Sequence, residues 1–389
     1  MSNIQKNNKP NVPNLRFPEF SGEWKKIRVS DLLEFFSTNS LSWDQLEYGG
    51  TDIFNLHYGL IHSGLSTQIS LKKSILPSVK SEYRPRNYTL CEDGDVAFAD
   101  ASEDTNEVGK VVEFVDCAGK EIVCGLHTIH GRDKLGKTVV GFKGYAFSSP
   151  AFHNQIRRIA QGTKIFSINT GNFEEIFIGV PQKEEQDKIS HLLSLLDQRI
   201  AIQNRLIEQY ESLIKAIAFE IIGRNRSNTT LSDCVFCSSS TLKESELINT
   251  GIPTYGAAGI SGYTAEALCK SDSILITKDG SGVGSKRYVH GEHSFVGTLC
   301  SLTPKDGIYL PYVYYALMIM NLDTYKTGQA IPHIYFKDYG KLQLFCPTYS
   351  EQRRLSHGLE TLDRKVGYEE SLLLSINEVK KGLLDQLFI

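Results

Sequence analysis

One pattern occurs twice in this chain, and it limits the fold more than any other feature. PQKEEQDKISHLLSLLDQRI begins at Pro181, and PTYSEQRRLSHGLETLDRKV begins at Pro347. Pro181 matches Pro347, Glu185 and Gln186 match Glu351 and Gln352, and Ser190 and His191 match Ser356 and His357. Leu193, Leu196 and Asp197 match Leu359, Leu362 and Asp363, always at the same separation of 166 residues (347 − 181). The match runs forward to Lys215 and Lys381, and back to Gly162 and Gly328, Ile165 and Ile331, and Ile168 and Ile334.

Both copies read as long helices. Ile189, Leu193, Leu196, Ile200, Ile207 and Tyr210 recur at steps of three and four or their sum, as do Leu355, Leu359, Leu362, Val366, Leu373 and Ile376. That spacing places them on one narrow stripe, the pattern of a helix seam. Gln203 and Glu369 interrupt the two stripes at matching places, where polar side chains fix the register of a pair. The prolines precede the helices, where a missing N–H does no harm. Thr348 and Glu351 form a capping box, and Gly223 is a stop for the first helix. A long helix with an apolar stripe needs a partner, and its own repeat supplies one. The other reading packs each helix on a separate globule.

The remainder differs in kind. Residues 15–180 and 224–346 are rich in Gly, Ser, aromatics and short β-like runs such as DVAFAD, KVVEFV and DSILIT. The chain therefore divides into a disordered polar tail (1–14), a mixed domain (15–180), a helix (181–223), a second mixed domain (224–346) and a C-terminal helix (347–389). The expected class is α+β: two mixed α/β domains separated by two long helices that form an antiparallel coiled coil, a pseudo-twofold internal repeat. The domains resemble each other weakly. Asp95 sits opposite Asp272, Lys110 opposite Lys286, and Ser30-Asp31 opposite Ser232-Asp233.

Catalytic motifs are missing. TKDGSGVGSKR, from Thr277 to Arg287, looks like a phosphate loop, but Ser285 stands at the second P-loop glycine, and Arg287 follows Lys286 where Ser or Thr belongs. Ser285 also occupies the third glycine of a dinucleotide fingerprint. There is no Asn/Asp-Pro-Pro-aromatic, H-E-x-x-H or G-x-S-x-G motif. Cys234-Val-Phe-Cys237 is a lone CxxC and reads as two partly buried strand thiols. His127 and His130 could look like a metal pair, but on a strand residues i and i+3 face opposite sides. No metal site is expected. The eight cysteines are irregularly spaced, and the chain has neither a secretory start nor a run able to span a bilayer, so a soluble cytoplasmic protein is expected.

The net charge of −3 argues against a uniformly basic coat for nucleic acid, though not against a local basic face. Candidate DNA contacts are Arg84, Arg86, Ser102, Lys110, Gln161, Thr163, Lys164, Lys278, Ser281, Lys286, Arg287, Gln329, His333 and Tyr335. Lys and Arg neutralise phosphates, glycines admit close backbone approach, and Arg and Gln pair with guanine and adenine.

Pro-x-x-x-Glu-Gln before a long helix, used twice, resembles the specificity subunit of type I restriction–modification systems. LRFPEFSGEWKKIRVSDL from Leu15, GIPTYGAAGISGY from Gly251 and GLLDQLF at Gly382 resemble further elements of that family. The resemblance implies two target recognition domains, each reading one half of a bipartite asymmetric double-stranded DNA site. Paired helices would set the spacing and dock two methyltransferase subunits, and two restriction subunits would join them. S-adenosylmethionine, ATP and Mg would belong to those partners. This chain would bind no cofactor and be non-catalytic. The second domain departs from the pattern in lacking a counterpart of Trp24. Two other classes stay open: a fused DNA-modifying enzyme with a degenerate motif, and a non-catalytic scaffold with ligand-binding loops.

Overall fold

The computed structural model describes residues 10–50, 52–72, 74–280, 282–328 and 331–389 of the chain. Two compact units emerge: residues up to Ile202 together with Leu373–Ile389, and residues Gln203–Leu372. The long helices run Lys183–Ala218 and Tyr349–Gln386. At ~1.5 Å per residue they measure about 54 and 57 Å. Each contributes to both units, so the unit boundary falls within the helices rather than at their ends. The first closes in a π-turn, Phe219–Gly223. The second is capped by Glu351, whose carboxylate accepts from Thr348 N at 3.3 Å and Thr348 Oγ1 at 2.9 Å.

In the first unit, Ile189 and Leu193 are buried in a core with Leu387 and Phe388, and Leu196, Leu383 and Leu384 pack on it. Tyr145 Oη donates to Asp197 at 2.8 Å, and Lys380 of the second helix also binds Asp197. Ile200, Leu373 and Ile376 are half-buried. In the second unit, Ile214, Leu359 and Val366 are core, with Ile207, Tyr210, Leu355 and Leu362 against them. Gln203 and Glu369 are both buried, and Gln203 Nε2 donates to the carbonyl and the carboxylate of Glu369.

The two units share a strand order that the sequence only hinted at. The first holds a sheet in the order Leu33–Phe36, Thr128–Asp133, Val96–Ala99, Val111–Asp116, with Gln68–Ser70 added at the edge. The second holds Val235–Ser239, Leu299–Pro304, Ser273–Thr277, Lys286–Val289 in the same order. These core pairings are antiparallel throughout. Each unit adds a second sheet with one parallel pair: Glu121–Cys124 beside Ile53–Leu56, and Ser294–Phe295 beside Ile252–Gly256. Leu33 and Val235 open matched strands 202 residues apart, whereas Thr128 and Leu299 are 171 apart. The extra length of the first unit therefore lies before Thr128, where it builds additional strands.

One buried amide ties each helix to its unit. Gln186 Nε2 donates to Pro181 O and Lys137 O at 2.9 Å, and its Oε1 accepts from Val139 N at 2.9 Å. Gln352 repeats this, donating to Pro347 O at 2.8 Å and Gly307 O at 3.3 Å while accepting from Tyr309 N at 2.8 Å. Both side chains are fully buried. The neighbouring glutamates diverge. Glu185 is buried and accepts from Arg16 and from Trp24 Nε1, while Glu351 is exposed and caps its own helix. Trp24 has no counterpart in the second unit, and Glu351 accordingly has no such donor.

Two expectations need correction. Residues 10–14, assigned to a disordered tail, are held in place: Pro13 is buried and Trp24 N donates to Asn11 O at 2.8 Å. Residues 1–9 of that tail lie outside the described residues. Cys234 is not a strand thiol but closes the short helix Leu231–Cys234, fully buried, whereas Cys237 sits half-buried on a strand.

Replacing Gln186 or Gln352 by Ala leaves three backbone groups without partners. Each variant should lose about 1–3 kcal/mol, with faster amide exchange at Val139 or Tyr309 respectively. Chemical denaturation and hydrogen exchange read this, and unchanged exchange at those amides would remove the bracket role.

Candidate nucleic-acid interface

Each unit builds the same small platform from a hairpin and a neighbouring loop. In the first unit Gln161 and Ser167 exchange backbone bonds of 3.1 and 2.8 Å; in the second Thr327 and His333 do so at 2.9 and 2.8 Å. Gly162 and Gly328 occupy matching places with positive φ of 142° and 88°. A Cβ there would lie 1.8 Å from Ile165 O or 2.5 Å from Ile331 O, so only glycine fits both turns. Beside each turn stands an exposed isoleucine, Ile165 or Ile331.

The hairpins are joined to the loops that follow the central strands. Ile168 N donates to Asp100 O at 2.9 Å, and Ile334 N donates to Lys278 O at the same distance. Phe166–Ser167 pairs with Ala101–Ser102. In the second unit Gly280 N reaches Pro332 O at 3.0 Å, and the glycine loop folds back through Gly284 N to Thr277 O at 2.8 Å. Gly280 and Gly284 take φ of 95° and 92°, so the glycines serve the turn geometry. TKDGSGVGSKR is thus a reversal between two antiparallel strands, with no helix behind it to cradle a phosphate.

The structure therefore gathers part of the expected set. In the first unit Ser102, Gln161, Thr163 and Lys164 lie on the hairpin and its strand partner, the last three exposed. Lys110 binds Glu107 at 2.8 Å. Arg84 and Arg86 are exposed on a separate loop, Arg84 lying 3.7 Å from Glu121. In the second unit Lys278, His333 and Tyr335 sit together; the Tyr335 ring meets His333 edge-on and lies under Lys337. Arg287 stacks over Tyr255 at 5.8 Å. Ser281 and Gln329 lie outside the described residues.

Lys286 points elsewhere. Its ammonium donates to Met320 O at 2.7 Å, and burial pushes its pKa down to about 8, with Lys215 adding repulsion and Asp323 opposing it. A charge turned towards Met320 O is poorly placed to meet phosphate, unlike Lys278, whose carbonyl is bonded to the hairpin.

Sequence reasoning missed a cluster in the first unit. Tyr58, His62, Ser102, His127 and Ile165 line a cleft of about 410 Å³. His127 takes a left-handed φ of 55° and its Nδ1 lies 3.1 Å from Asp100 Oδ1. Burial raises the Asp100 carboxyl, which His127 partly offsets. The aromatic and histidine density of LHYGLIH, ending at His62, was the available signal. His127 does not share a strand with His130; it turns the chain just before that strand.

Lys286 yields a pH prediction. Its folded pKa lies below the ordinary 10.5, so the penalty is full below about pH 8 and fades as pH rises towards 10.5, where the unfolded chain also loses the proton. Lys286→Met should be the more stable protein at pH 7, with its advantage shrinking by pH 10. Denaturation curves that stay parallel across this range would contradict the placement.

A family model described as the type I restriction modification DNA specificity domain matches residues 21–212 and 230–378, one copy per half of the chain. A protein named as a type I specificity subunit in Mycoplasma pneumoniae is 26% identical over 310 residues, covering 72% of this chain and 81% of its own. The EcoprrI type I restriction enzyme specificity subunit of Escherichia coli is 26% identical over 129 residues, 33% of this chain and 30% of that protein. Among solved structures, the type I restriction–modification S subunit from M. genitalium superposes with a TM-score of 0.59 at 20% identity, covering 97% of this chain and 99% of that one. A chain from work on complex assembly and conformational transition of the type I R-M system gives 0.52 at 14% identity, covering 93% and 96%. These two structural likenesses speak to fold. With both halves matched, the chain belongs to the family of DNA specificity subunits of type I restriction–modification systems.

Proposed function

We propose that each unit reads one half of a bipartite, asymmetric DNA site through its hairpin-and-loop platform. The observation that carries this reading is duplication with divergence. The same backbone device occurs in both units, fixed by Gly162 and Gly328, yet its side chains differ: Gln161, Thr163 and Lys164 in one, Lys278, His333 and Tyr335 in the other. A common frame with unlike side chains suits two readers of unlike sequence. Joining them in one chain makes the second contact intramolecular and raises affinity.

The paired helices, in this proposal, form an antiparallel coiled coil that sets the gap between half-sites and docks two methyltransferase subunits. Two restriction subunits complete the assembly. Methyl transfer with S-adenosylmethionine and ATP-dependent cleavage with Mg belong to those partners. This chain contributes recognition and no catalytic group. No helix among the described residues is long and apolar enough to cross a membrane, which accords with action on DNA in the cytoplasm.

Methylome sequencing tests the reading. A host carrying this chain beside a methyltransferase partner should show one bipartite methylated motif that vanishes without the chain. Exchanging residues 224–346 for the corresponding domain of another family member should change one half-site and leave the other intact. A motif altered on both sides would overturn the division of labour.

Individual side chains have a separate readout. Lys164→Ala and Arg287→Ala should each weaken DNA binding by the assembled methyltransferase across all sequences. Each should also flatten the log-affinity against log-salt plot by about 0.9 for every phosphate it no longer neutralises. Lys286→Met should leave that slope unchanged. An unaltered slope in the first two variants would move the interface elsewhere.

A further inference from the structure

Behind the first platform lies a buried cluster that DNA recognition does not use. Cys91, in the loop before the Val96–Ala99 strand, meets Cys124, at the end of the Glu121–Cys124 strand, and His130, on the Thr128–Asp133 strand. One ligand atom from each of the three lies within 4.8 Å of the other two, and all three residues are buried. The sulfurs are 3.6 Å apart. Two thiolates each about 2.3 Å from one tetrahedral zinc stand about 3.8 Å apart, so the observed edge is that of a coordination tetrahedron.

His130 gives the independent sign. Its Nε2 bonds Asp95 Oδ2 at 2.8 Å, which leaves Nδ1 as the nitrogen for a ligand. Nδ1 is buried and has no hydrogen-bond partner. A buried polar atom without a partner is costly and calls for one. Asp95 is itself fixed: Arg132 grips it through Nε and Nη2, both at 2.8 Å, and Glu92 N donates to it at 2.9 Å. A carboxylate behind a histidine is the usual way to orient a metal-binding ring. The charges also close. A divalent ion balances two thiolates, and Arg132 balances Asp95, so no net charge is buried.

The second unit acts as an internal control. Cys269 N donates to His293 O as Cys91 N donates to Ile122 O. There the polar atoms satisfy one another. Cys269 Sγ meets Ser301 Oγ at 3.2 Å, His293 Nε2 meets Ser273 Oγ at 2.7 Å, and His293 Nδ1 meets Gly291 O at 2.8 Å. Cys269 with Ser301 closes by hydrogen bonds, whereas Cys91 with Cys124 and His130 stays open at Nδ1.

We propose that Cys91, Cys124 and His130 Nδ1 bind a zinc ion, with Asp95 orienting the histidine. Two thiolates and an imidazole form a borderline-soft set that suits zinc rather than magnesium or calcium. Binding displaces the two thiol protons and involves no redox step. The ion clamps the loop before the central strand to two strands of different sheets. Cys124 and His130 flank the turn that carries His127, whose carbonyl accepts from Asp100 N, so the ion would pin both ends of that turn.

The test uses the untagged full-length chain, expressed with zinc and purified without chelator under reducing conditions. Metal analysis should find roughly one zinc per chain, with nearly all of it gone in Cys91→Ser/Cys124→Ser and all of it retained in Cys269→Ser. If the double variant misfolds, the wild-type chain stripped and reloaded with cobalt should show sulfur-to-cobalt charge-transfer absorption and tetrahedral ligand-field bands. Asp95→Asn keeps every ligand and should weaken zinc about 10–100-fold in a chelator competition. A metal-free chain without cobalt–thiolate absorption overturns the proposal. So does zinc that survives the double substitution, or a Cys91–Cys124 disulfide as the form isolated from reducing buffer.

Discussion

Two buried amides hold this architecture together. Gln186 and Gln352 stand in the first turn of their helices, and each satisfies a proline carbonyl, a loop carbonyl and a loop N–H at once. Pro181 is buried and Val139, Tyr309 and Pro347 are half-buried, so water replaces the amide poorly at those groups. An amide side chain, carrying donors and an acceptor on one planar group, meets the requirement; a carboxylate would face two carbonyls with no proton to give. Each amide thus fixes the first turn of its helix on its own unit, beside the apolar contacts of Ile189 and Leu193 in one and Leu359 in the other.

The same pair explains what was legible in the sequence. The repeat around Pro181 and Pro347 could be read because Gln, the flanking Pro and the apolar stripe each meet a requirement that other residue types meet poorly. The match between the domains was nearly invisible. A central strand buried on both faces asks only for apolar, strand-forming side chains, so VAFA and SILI serve equally and share almost nothing. What survives is order and pairing, together with single residues such as Asp95 and Asp272 that hold polar neighbours. The shared order is a property of hydrogen-bonded ladders, which one sequence does not reveal.

The candidate interface was legible at its glycines and not at its charges. Gly162 and Gly328 repeat because a Cβ at either would strike a carbonyl, whatever the neighbouring side chains do. Lys286 shows the opposite case. In a strand as short as KRYV, no alternation pattern says which side chain faces inward, and Lys286 shares its face with Tyr288 rather than with Arg287. The inward placement depends on Met320, distant in sequence, offering a free carbonyl. The His130 cluster was hidden for the same reason. Cys91, Cys124 and His130 follow no metal-ligand spacing, and they meet only because a loop and strands from two sheets converge.

A duplicated helix raises a problem of its own. Two apolar stripes descended from one sequence fit each other in more than one register, since a slide along a seam exchanges one aliphatic contact for another. Gln203 and Glu369, which interrupt the stripes at matching positions, limit that freedom. Both are buried, and the amide of one donates to the backbone and side chain of the other. Sliding either helix by one turn would separate the Gln203 amide from Glu369, whose carboxylate would keep Lys365 of its own helix. Leaving the buried amide unsatisfied costs about 1–3 kcal/mol. The pair thus adds selection rather than strength.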